Sequence, residues 1–473
     1  MTNPLINPDI APTPEQGRTW SKWHLAALWI GMSVCIPTYM LAASMIEVGM
    51  SWWQSVLTVF LGNLIVLVPM VLMGHAGTKY GIPFPVLARA SFGTSGAHLP
   101  AIARSLVACG WFGIQTWIGG FAIYQVFAAL GWIDRSADTD PLPVLGITAL
   151  QFFCFLAFWA LNFAIVLRGI DSIKWLESWA APFLITMGLA LLVWAAIRVG
   201  GVAKMFPPPP ENPPAFWPIF FPQLTAMVGF WATLSLNIPD FTRYCRSQRE
   251  QALGQLIGLP STMTLFSFIG IAVTSATIVI FGKAIWDPIA LVAQLGSTAA
   301  VVISLVALTI ATLSTNIAAN VVSPANGFAN VSPRRISFRT GSIITCLIGI
   351  VIMPWRLYND LGDYIFTWLI GYSALLGPIA GIMLCDYFVV RRTELDSDAL
   401  YQETGAYGGV RWKAILVFVI AVLPNLPGFY NAATHTSTFP ALFDQCYSYA
   451  WFLGIGIAFV LYYILHLGSK KHA

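Results

Sequence analysis

The sequence predicts an all-α membrane protein with twelve transmembrane helices, and three observations support this fold class. Hydrophobic residues make up 57% of the chain and charged residues only 9%, whereas soluble domains average about 25% charged residues. Twelve apolar segments approach or exceed the length of about 20 helical residues that crosses a bilayer. Basic residues concentrate in alternate connectors between these segments, which is typical of a multi-pass topology.

The predicted spans follow one another with polar or proline-rich connectors between them. They cover residues 24–46, 52–73, 99–130, 143–166, 175–197, 217–238, 258–281, 300–323, 338–354, 363–386, 412–430 and 445–467. Residues 1–23 are polar, and no signal-peptide pattern precedes the first span. We therefore expect residues 1–23 to form a cytoplasmic N-terminal segment.

The distribution of Lys and Arg predicts the orientation of the chain. With the N-terminus in the cytoplasm, the inner segments hold 19 of the 24 basic residues. The outer segments hold the other five, which are Arg135, Arg198, Lys204, Lys283 and Arg356. Because positive charge accumulates on the cytoplasmic side, we expect both termini in the cytoplasm and the protein in the inner (plasma) membrane of the cell.

Two predicted spans contain helix-breaking residues, and they lie five spans apart. Span 1 contains Gly31 and Pro37, and span 6 contains Gly229 with Asn237–Ile238–Pro239 after it. Proline removes a backbone donor and glycine lowers helix stability, so both spans are expected to unwind locally. Interrupted helices at matching places of two halves indicate an inverted-repeat transporter with its site at the midplane. The alternative is that these residues only kink the helices, which is common in membranes.

Span 8 carries an uncharged polar cluster within an otherwise apolar segment. Its members are Thr312, Ser314, Thr315, Asn316 and Asn320. Hydroxyls beside carboxamides suit a dehydrated cation on one side and a polar ligand on the other. The alternative is hydrogen bonding between helices, a common use of such side chains in membranes. Because no Asp, Glu or His lies clearly in the middle of a predicted span, the pattern favours sodium over a proton as coupling ion.

Aromatic residues beside amides form a second pattern in mid-span. Trp111 and Gln115 of span 3 are four residues apart and share a helix face, and Trp231 follows the suspected break in span 6. Two buried indoles beside amides would clamp a flat heterocycle by stacking on its faces and bonding its edges. Packing alone would also explain either Trp.

Enzymes and channels fit the sequence poorly. The six His lie at span ends or in connectors without HExxH spacing, and the seven Cys show no CxxC pair. A channel would need a continuous polar lining, whereas the polar residues here cluster. We expect no enzymatic activity, no cofactor and no nucleic-acid partner.

The chain resembles the nucleobase:cation symporter-1 family from span 1 to span 10. The matching stretches are IPTYMLA, GMSWWQ, FPVLARASFG, WFGIQTWIGG, FWATLSLNIPDFTRY, STNIAANVVSPAN and LGPIAGIMLCDYFVVRR. The resemblance implies the leucine-transporter-like fold, with five-helix inverted repeats at 24–200 and 215–390 and two extra helices at 410–473. It also implies alternating access for a flat heterocycle such as uracil, cytosine, a purine, hydantoin or allantoin.

The resemblance further implies roles for individual residues. The family's substrate-contacting positions fall on Trp111, Gln115, Phe230, Trp231, Asn320 and Cys35. The sodium ligands it implies are the backbone carbonyls of Gly31, Val34 and Ala311 and the hydroxyls of Ser314 and Thr315. Trp111 and Trp231 would stack on the substrate, Gln115 and Asn320 would hydrogen-bond it, and Phe230 would offer backbone groups.

Two departures from the family pattern bear on the substrate. Cys35 stands where the hydantoin-transporting branch has Gln, and Phe230 replaces a Gly of that branch. IPTYMLA followed by GMSWWQ is more similar to the branch that carries uracil and other free nucleobases. The prediction is a monomeric sodium-coupled importer of a nucleobase, with uracil favoured. The alternatives are a hydantoin or allantoin permease and a proton-coupled purine or cytosine permease.

Overall fold

The computed structural model describes residues 4–168, 170–208, 212–295, 297–358 and 363–467. In this part of the chain, regular structure is helical apart from two isolated bridges. Eight of the described helices are long and apolar enough to cross a membrane, or up to ten if each of two bent pairs is one span. Two shorter apolar helices, Phe216–Phe230 and Phe338–Val351, are consistent with the remaining predicted spans. The predicted end of the C-terminal region, 468–473, lies outside the described residues.

The helices are numbered in chain order. The first ten are α1 (Lys22–Ser33), α2 (Ile36–Glu47), α3 (Trp52–Tyr80), α4 (Phe84–Phe92), α5 (His98–Ala129), α6 (Ala149–Arg168), α7 (Ile170–Val199), α8 (Phe216–Phe230), α9 (Ala232–Asn237) and α10 (Pro239–Thr242). The next six are α11 (Gln248–Phe281), α12 (Pro288–Val292), α13 (Thr298–Asn320), α14 (Val322–Val331), α15 (Phe338–Val351) and α16 (Trp355–Tyr358).

The tenth span has an unusual helical geometry. It begins as a π-helix at Asp363–Ile370, continues as α17 (Gly371–Leu384) and ends as a second π-helix at Cys385–Val390. π-Helical turns are rare and occur frequently at functional sites. The last helices are α18 (Trp412–Val422), α19 (Leu426–Thr434), α20 (Ala441–Tyr447) and α21 (Ala450–His466).

Both predicted helix interruptions are present. α1 and α2 meet at an angle of 60°, and Val34 and Cys35 lie between them outside the helices. Pro37 falls in the first turn of α2. Backbone N–H groups in the first turn have no partner within the helix, so the N–H that proline lacks costs no helix hydrogen bond. In span 6 the interruption falls at Trp231, whose φ of −101° and ψ of 3° separate α8 from α9.

The seventh span begins earlier than predicted. α11 starts at Gln248, ten residues before the predicted boundary at 258, and the Ser247 side chain caps it by accepting from the Glu250 N–H. The polar residues Gln251 and Gln255 are buried here, and Gln251 donates to the Val71 carbonyl at 3.1 Å. A hydropathy pattern excludes these glutamines from a span, although Gln251 bonds to α3 and Gln255 donates to Oε1 of Gln251 at 2.6 Å.

α5 lies at the centre of the helix assembly. It packs against α6, α13, α14 and α15, and almost all of its middle turns are buried. Gly120 permits one close approach, because a Cβ at this position would lie 2.6 Å from the Cα of Phe155 on α6. The central position of α5 brings its side chains into contact with spans 4, 6, 8, 9 and 10.

The N-terminal segment is bound to connectors that the charge pattern places on the cytoplasmic side. The Trp20 N–H donates to the Tyr244 carbonyl at 2.8 Å, and the Arg246 N–H donates back to Trp20 at 3.0 Å. The Thr13 N–H donates to the Gly81 carbonyl at 2.8 Å, beyond the end of α3. These bonds hold the segment against the ends of spans 2, 6 and 7.

Candidate functional site

Trp111 lies in the middle of α5, inside a cage of four aromatic rings. The ring centroids of Phe230, Tyr364, Trp368 and Tyr372 lie 5.2, 6.3, 5.9 and 6.4 Å from that of Trp111. The interplanar angles are 80°, 90°, 70° and 70°. Each of these neighbours is nearly perpendicular to the indole, so none of them forms a parallel stack with it.

Trp231 occupies the interruption of span 6 in a similar arrangement. Its indole is perpendicular to Trp29 at 5.1 Å and to Phe230 at 4.9 Å. The Phe230 ring therefore contacts both Trp111 and Trp231 and lies between the two predicted stacking residues. The predicted role of Phe230 involved only its backbone, whereas in the structure its side chain also contacts both indoles.

Several buried polar atoms near Trp111 have no hydrogen-bond partner among the described residues. They are Oε1 of Gln115, the hydroxyl of Tyr364 and Nε1 of both Trp231 and Trp368. Buried polar groups in proteins are nearly always hydrogen-bonded, and leaving one unpaired costs about 1–3 kcal/mol. A polar ligand would supply an N–H for the Gln115 oxygen and acceptors for the two indole N–H groups.

The remaining predicted substrate residues, Cys35 and Asn320, lie on spans 1 and 8. Asn320 is the last residue of α13, and its Nδ2 donates to Oδ1 of Asn316 at 3.0 Å. Cys35 lies in the break between α1 and α2, with its thiol 3.2 Å from the Thr38 hydroxyl. Both residues are buried.

The predicted sodium ligands lie on α13 and at the C-terminal end of α1, and these two helices are in contact. The Ser314 hydroxyl is buried and has no hydrogen-bond partner in the described part of the chain. The Thr315 hydroxyl donates to the Ala311 carbonyl at 3.1 Å and keeps lone pairs free to accept. Gly31 and Val34 lie at the C-terminal end of α1, where backbone carbonyls lack the partners of a continuing helix. This neutral set of oxygen donors fits a hard cation such as sodium.

Comparison with known proteins identifies the family. A family model described as "permease for cytosine/purines, uracil, thiamine, allantoin" matches residues 12–454. The chain belongs to the nucleobase:cation symporter-1 family. Members of this family are membrane transporters, so the predicted absence of enzymatic activity is confirmed.

Similar proteins include two curated permeases and one solved structure. A purine-uracil permease of Arabidopsis thaliana is 46% identical, the match covering 99% of this chain and 79% of the relative. An allantoin permease of Bacillus subtilis is 39% identical over 98% of this chain and 94% of the relative. Mhp1, a nucleobase-cation-symport-1 family transporter in a closed conformation with bromovinylhydantoin bound, matches with a TM-score of 0.80 and 26% identity, covering 99% of this chain and 96% of Mhp1. The predicted leucine-transporter-like fold is thereby confirmed.

Three aromatic residues of the cage were not predicted from the sequence. Tyr364, Trp368 and Tyr372 lie in span 10 and surround the Trp111 indole, and the Tyr372 hydroxyl accepts a hydrogen bond from Trp111 Nε1 at 3.3 Å. Their spacing of four residues was a visible signal, since it places them on one helix face. An aromatic stripe of this kind usually packs in a core, so the spacing alone does not indicate a site.

Substitution of Gly110 by Ala should weaken substrate binding by about tenfold or more. A Cβ at Gly110 would overlap the six-membered ring of Trp368, and overpacking of this kind typically costs about 1–3 kcal/mol. The displaced Trp368 indole would press on Trp111 and Tyr372. Binding of radiolabelled uracil to the purified protein measures the effect.

Two further variants control this experiment. Gly456→Ala adds the same methyl group in α21, where nothing lies within 4 Å of the new Cβ, and should bind normally. Adding Trp368→Leu to Gly110→Ala relieves the overlap and should restore part of the affinity. Normal binding by Gly110→Ala alone would show that the packing of Trp368 does not shape the pocket.

Proposed function

We propose that this protein imports a flat nitrogen heterocycle, with uracil as the favoured substrate, across the plasma membrane by sodium-coupled alternating access. The observation that carries the proposal is the cage around Trp111: a ligand there would have to pack parallel to an indole whose aromatic neighbours are all perpendicular to it, and to supply partners for buried polar atoms that have none among the described residues. A flat ring with N–H and C=O groups on its edge satisfies both conditions.

Each predicted substrate residue has a role in this proposal. Trp111 and Trp231 stack on the faces of the ring, and Gln115 and Asn320 bond its edge. Phe230 and Cys35 limit the size of the pocket, Phe230 through its position between the two indoles. The curated names of the relatives, purine-uracil permease and allantoin permease, support this class of ring.

Sodium is the proposed coupling ion. Its ligands would be the carbonyls of Gly31, Val34 and Ala311 and the hydroxyls of Ser314 and Thr315. The Ser314 hydroxyl supports this assignment, because it is buried and has no hydrogen-bond partner among the described residues. Buried polar atoms nearly always have a partner, and a sodium ion would be the partner of this oxygen. The ion would neutralise the exposed carbonyl dipoles at the end of α1 and thereby join spans 1 and 8.

The architecture of the proposal follows from the two interruptions. The breaks at Val34–Cys35 and Trp231 support inverted repeats at 24–200 and 215–390, with the helices of 410–473 outside them. A single chain supplies every proposed ligand, so a monomer suffices for transport. Cytoplasmic termini are proposed from the charge distribution, and the N-terminal segment is bound to connectors on the same side.

A second candidate substrate class is allantoin or hydantoin. The identity to the Bacillus subtilis allantoin permease extends over 98% of this chain, and a hydantoin ring presents alternating N–H and C=O groups as uracil does. The Phe230 ring between the indoles favours the smaller, unsubstituted uracil ring over hydantoins with bulky substituents.

Competition against radiolabelled uracil distinguishes these candidates. Purified protein in sodium buffer is challenged with uracil, thymine, cytosine, adenine, hydantoin and allantoin at matched concentrations. The proposal expects uracil to compete best and cytosine and adenine to compete poorly. Saturable binding of labelled allantoin together with no binding of uracil would show that the substrate belongs to the allantoin and hydantoin class. Binding of none of the six compounds would contradict the proposed function.

A further inference from the structure

We propose that Asn162, Asn316 and Asn320 form a directional chain of hydrogen bonds, here called the amide chain, that turns the Asn320 carbonyl oxygen towards the substrate. The site would then require a ring N–H at this point, as found in lactam and imide rings. This inference deepens the proposed function and rests on it. Asn162 and Asn316 act as positioning residues, since they work through Asn320.

The first link fixes the orientation of Asn162 on α6. Its Nδ2 donates to the Phe158 backbone carbonyl at 2.9 Å. A backbone carbonyl only accepts hydrogen bonds, so a reversed Asn162 amide would place oxygen against oxygen. The Asn162 Oδ1 is therefore held on the side of Asn316, where it accepts from Nδ2 of Asn316 at 3.2 Å.

The second link fixes Asn316 from another direction. Its Nδ2 lies 3.2 Å from the Phe112 carbonyl and 3.1 Å from the Thr116 hydroxyl of α5. The Thr116 hydroxyl gives its own hydrogen to the Phe112 carbonyl at 2.7 Å, so it presents a lone pair to Asn316. Three acceptors thus surround Nδ2 of Asn316, and only its Oδ1 is left to face Asn320.

The third link determines what Asn320 presents. Its Nδ2 donates to Oδ1 of Asn316 at 3.0 Å, which leaves the Asn320 carbonyl oxygen to accept from another donor. All three side chains are buried, with exposed fractions of 0% for Asn162, 0% for Asn316 and 6% for Asn320. Burial strengthens the directionality, because water does not compete for the amide groups and reversing one amide disturbs its neighbours.

A second carbonyl oxygen points to the same ligand chemistry. Oε1 of Gln115 is buried and has no hydrogen-bond partner among the residues that the structure describes, and it can only accept a hydrogen bond. Two accepting oxygens select a ring with N–H groups at two places, such as uracil, hydantoin, allantoin or an oxopurine. Cytosine has an unprotonated N3 where uracil has an N–H, and adenine has an unprotonated N1 where an oxopurine has an N–H, so each would set a lone pair against one of these oxygens.

The test compares the uracil and cytosine affinities of the wild type with those of Asn316→Leu. Leucine has a similar volume but no polar atoms, so Asn320 is released and its amide can rotate to offer an N–H. We expect uracil affinity to fall and cytosine to lose less or to gain, so that the uracil-to-cytosine affinity ratio drops about tenfold. Asn162→Leu removes only the first link and should lower the same ratio by a smaller factor.

Thr309→Val provides the matched control on α13. The Thr309 hydroxyl donates to the Leu305 carbonyl of its own helix at 2.8 Å and takes no part in the amide chain, so its removal should leave the ratio unchanged. Competition against radiolabelled uracil gives both affinities on the same preparation. The ratio is the decisive quantity, because general loosening of the helix packing weakens both ligands alike.

The outcomes separate the amide chain from the proposed function. A wild-type preference for uracil that falls in Asn316→Leu and Asn162→Leu supports the amide chain. Equal losses for both bases, with an unchanged ratio, would show that these asparagines only join helices and would overturn it. If Asn316→Leu does not fold, the ratio in Asn162→Leu decides alone. A wild type that binds no compound of the panel would overturn the proposed function and the amide chain together.

Discussion

Replacing Trp111 by Ala should weaken uracil binding by about 1–3 kcal/mol, the range for stacking of a base on an aromatic side chain. At about 1.4 kcal/mol per tenfold change, this corresponds to roughly a 5- to 150-fold loss of affinity. The aromatic neighbours of the indole in the described part of the chain are all nearly perpendicular to it, and the proposal assigns its face to the flat ring of the substrate. Trp231→Ala should show a similar loss, and Phe at either position should retain part of the affinity.

A second tryptophan of α5 controls for loss of packing. Trp117 is also buried, but its ring already stacks on Phe121 at 5.9 Å with an interplanar angle of 25°. Trp117→Ala therefore removes the same volume from the same helix without removing a residue that the proposal assigns to the substrate. Binding of radiolabelled uracil and thermal unfolding are measured on both variants. An equal loss of affinity in Trp117→Ala and Trp111→Ala would assign the effect to packing and place the pocket elsewhere.

Replacing Ser314 by Ala should abolish the stimulation of uracil binding by sodium. The Ser314 hydroxyl is the side-chain ligand of the proposed ion site that has no hydrogen-bond partner among the described residues, so its removal takes away a sodium ligand without breaking a helix bond. Coupling between two ligands is reciprocal. Uracil should therefore also lose its effect on sodium affinity, which a titration of sodium at fixed uracil concentrations measures.

Thr312→Val is the matched control for the ion site. The Thr312 hydroxyl is buried two residues away and donates to the Leu308 carbonyl of its own helix at 2.7 Å. Its removal should leave the sodium response intact. Undiminished sodium stimulation in Ser314→Ala would contradict the assignment of this hydroxyl, and a loss in both variants would indicate damage to α13.

Most of the fold was accessible from the sequence because apolar length and charge distribution act locally. The interruptions of spans 1 and 6 followed from Gly31, Pro37 and Gly229, although the non-helical residues are Val34, Cys35 and Trp231. The early start of α11 was missed because Gln251 and Gln255 are polar residues, and the bond from Gln251 to the Val71 carbonyl of α3 cannot be read from local hydropathy. The bend of 79° between α20 and α21 was not predicted, because no glycine or proline pattern like that of spans 1 and 6 was recognised there.

Part of the candidate site could be predicted from the sequence, and part of it could not. The predicted residues Trp111, Phe230 and Trp231 meet in the structure, whereas the contribution of span 10 depends on a contact between segments more than 250 residues apart. No periodicity in either segment reveals such a contact. The direction of the amide chain was also hidden, because it depends on which backbone carbonyls the three asparagines face. The roles assigned to these residues remain predictions for the experiments above.

Uptake of radiolabelled uracil into proteoliposomes tests the central claim most directly. The vesicles contain the purified protein and are placed under an inward sodium gradient, or under a proton gradient at equal sodium concentrations on both sides. We predict saturable accumulation of unchanged uracil above the external concentration under the sodium gradient, and its collapse when the sodium gradient is dissipated. Accumulation that ignores sodium and follows the proton gradient would contradict the account.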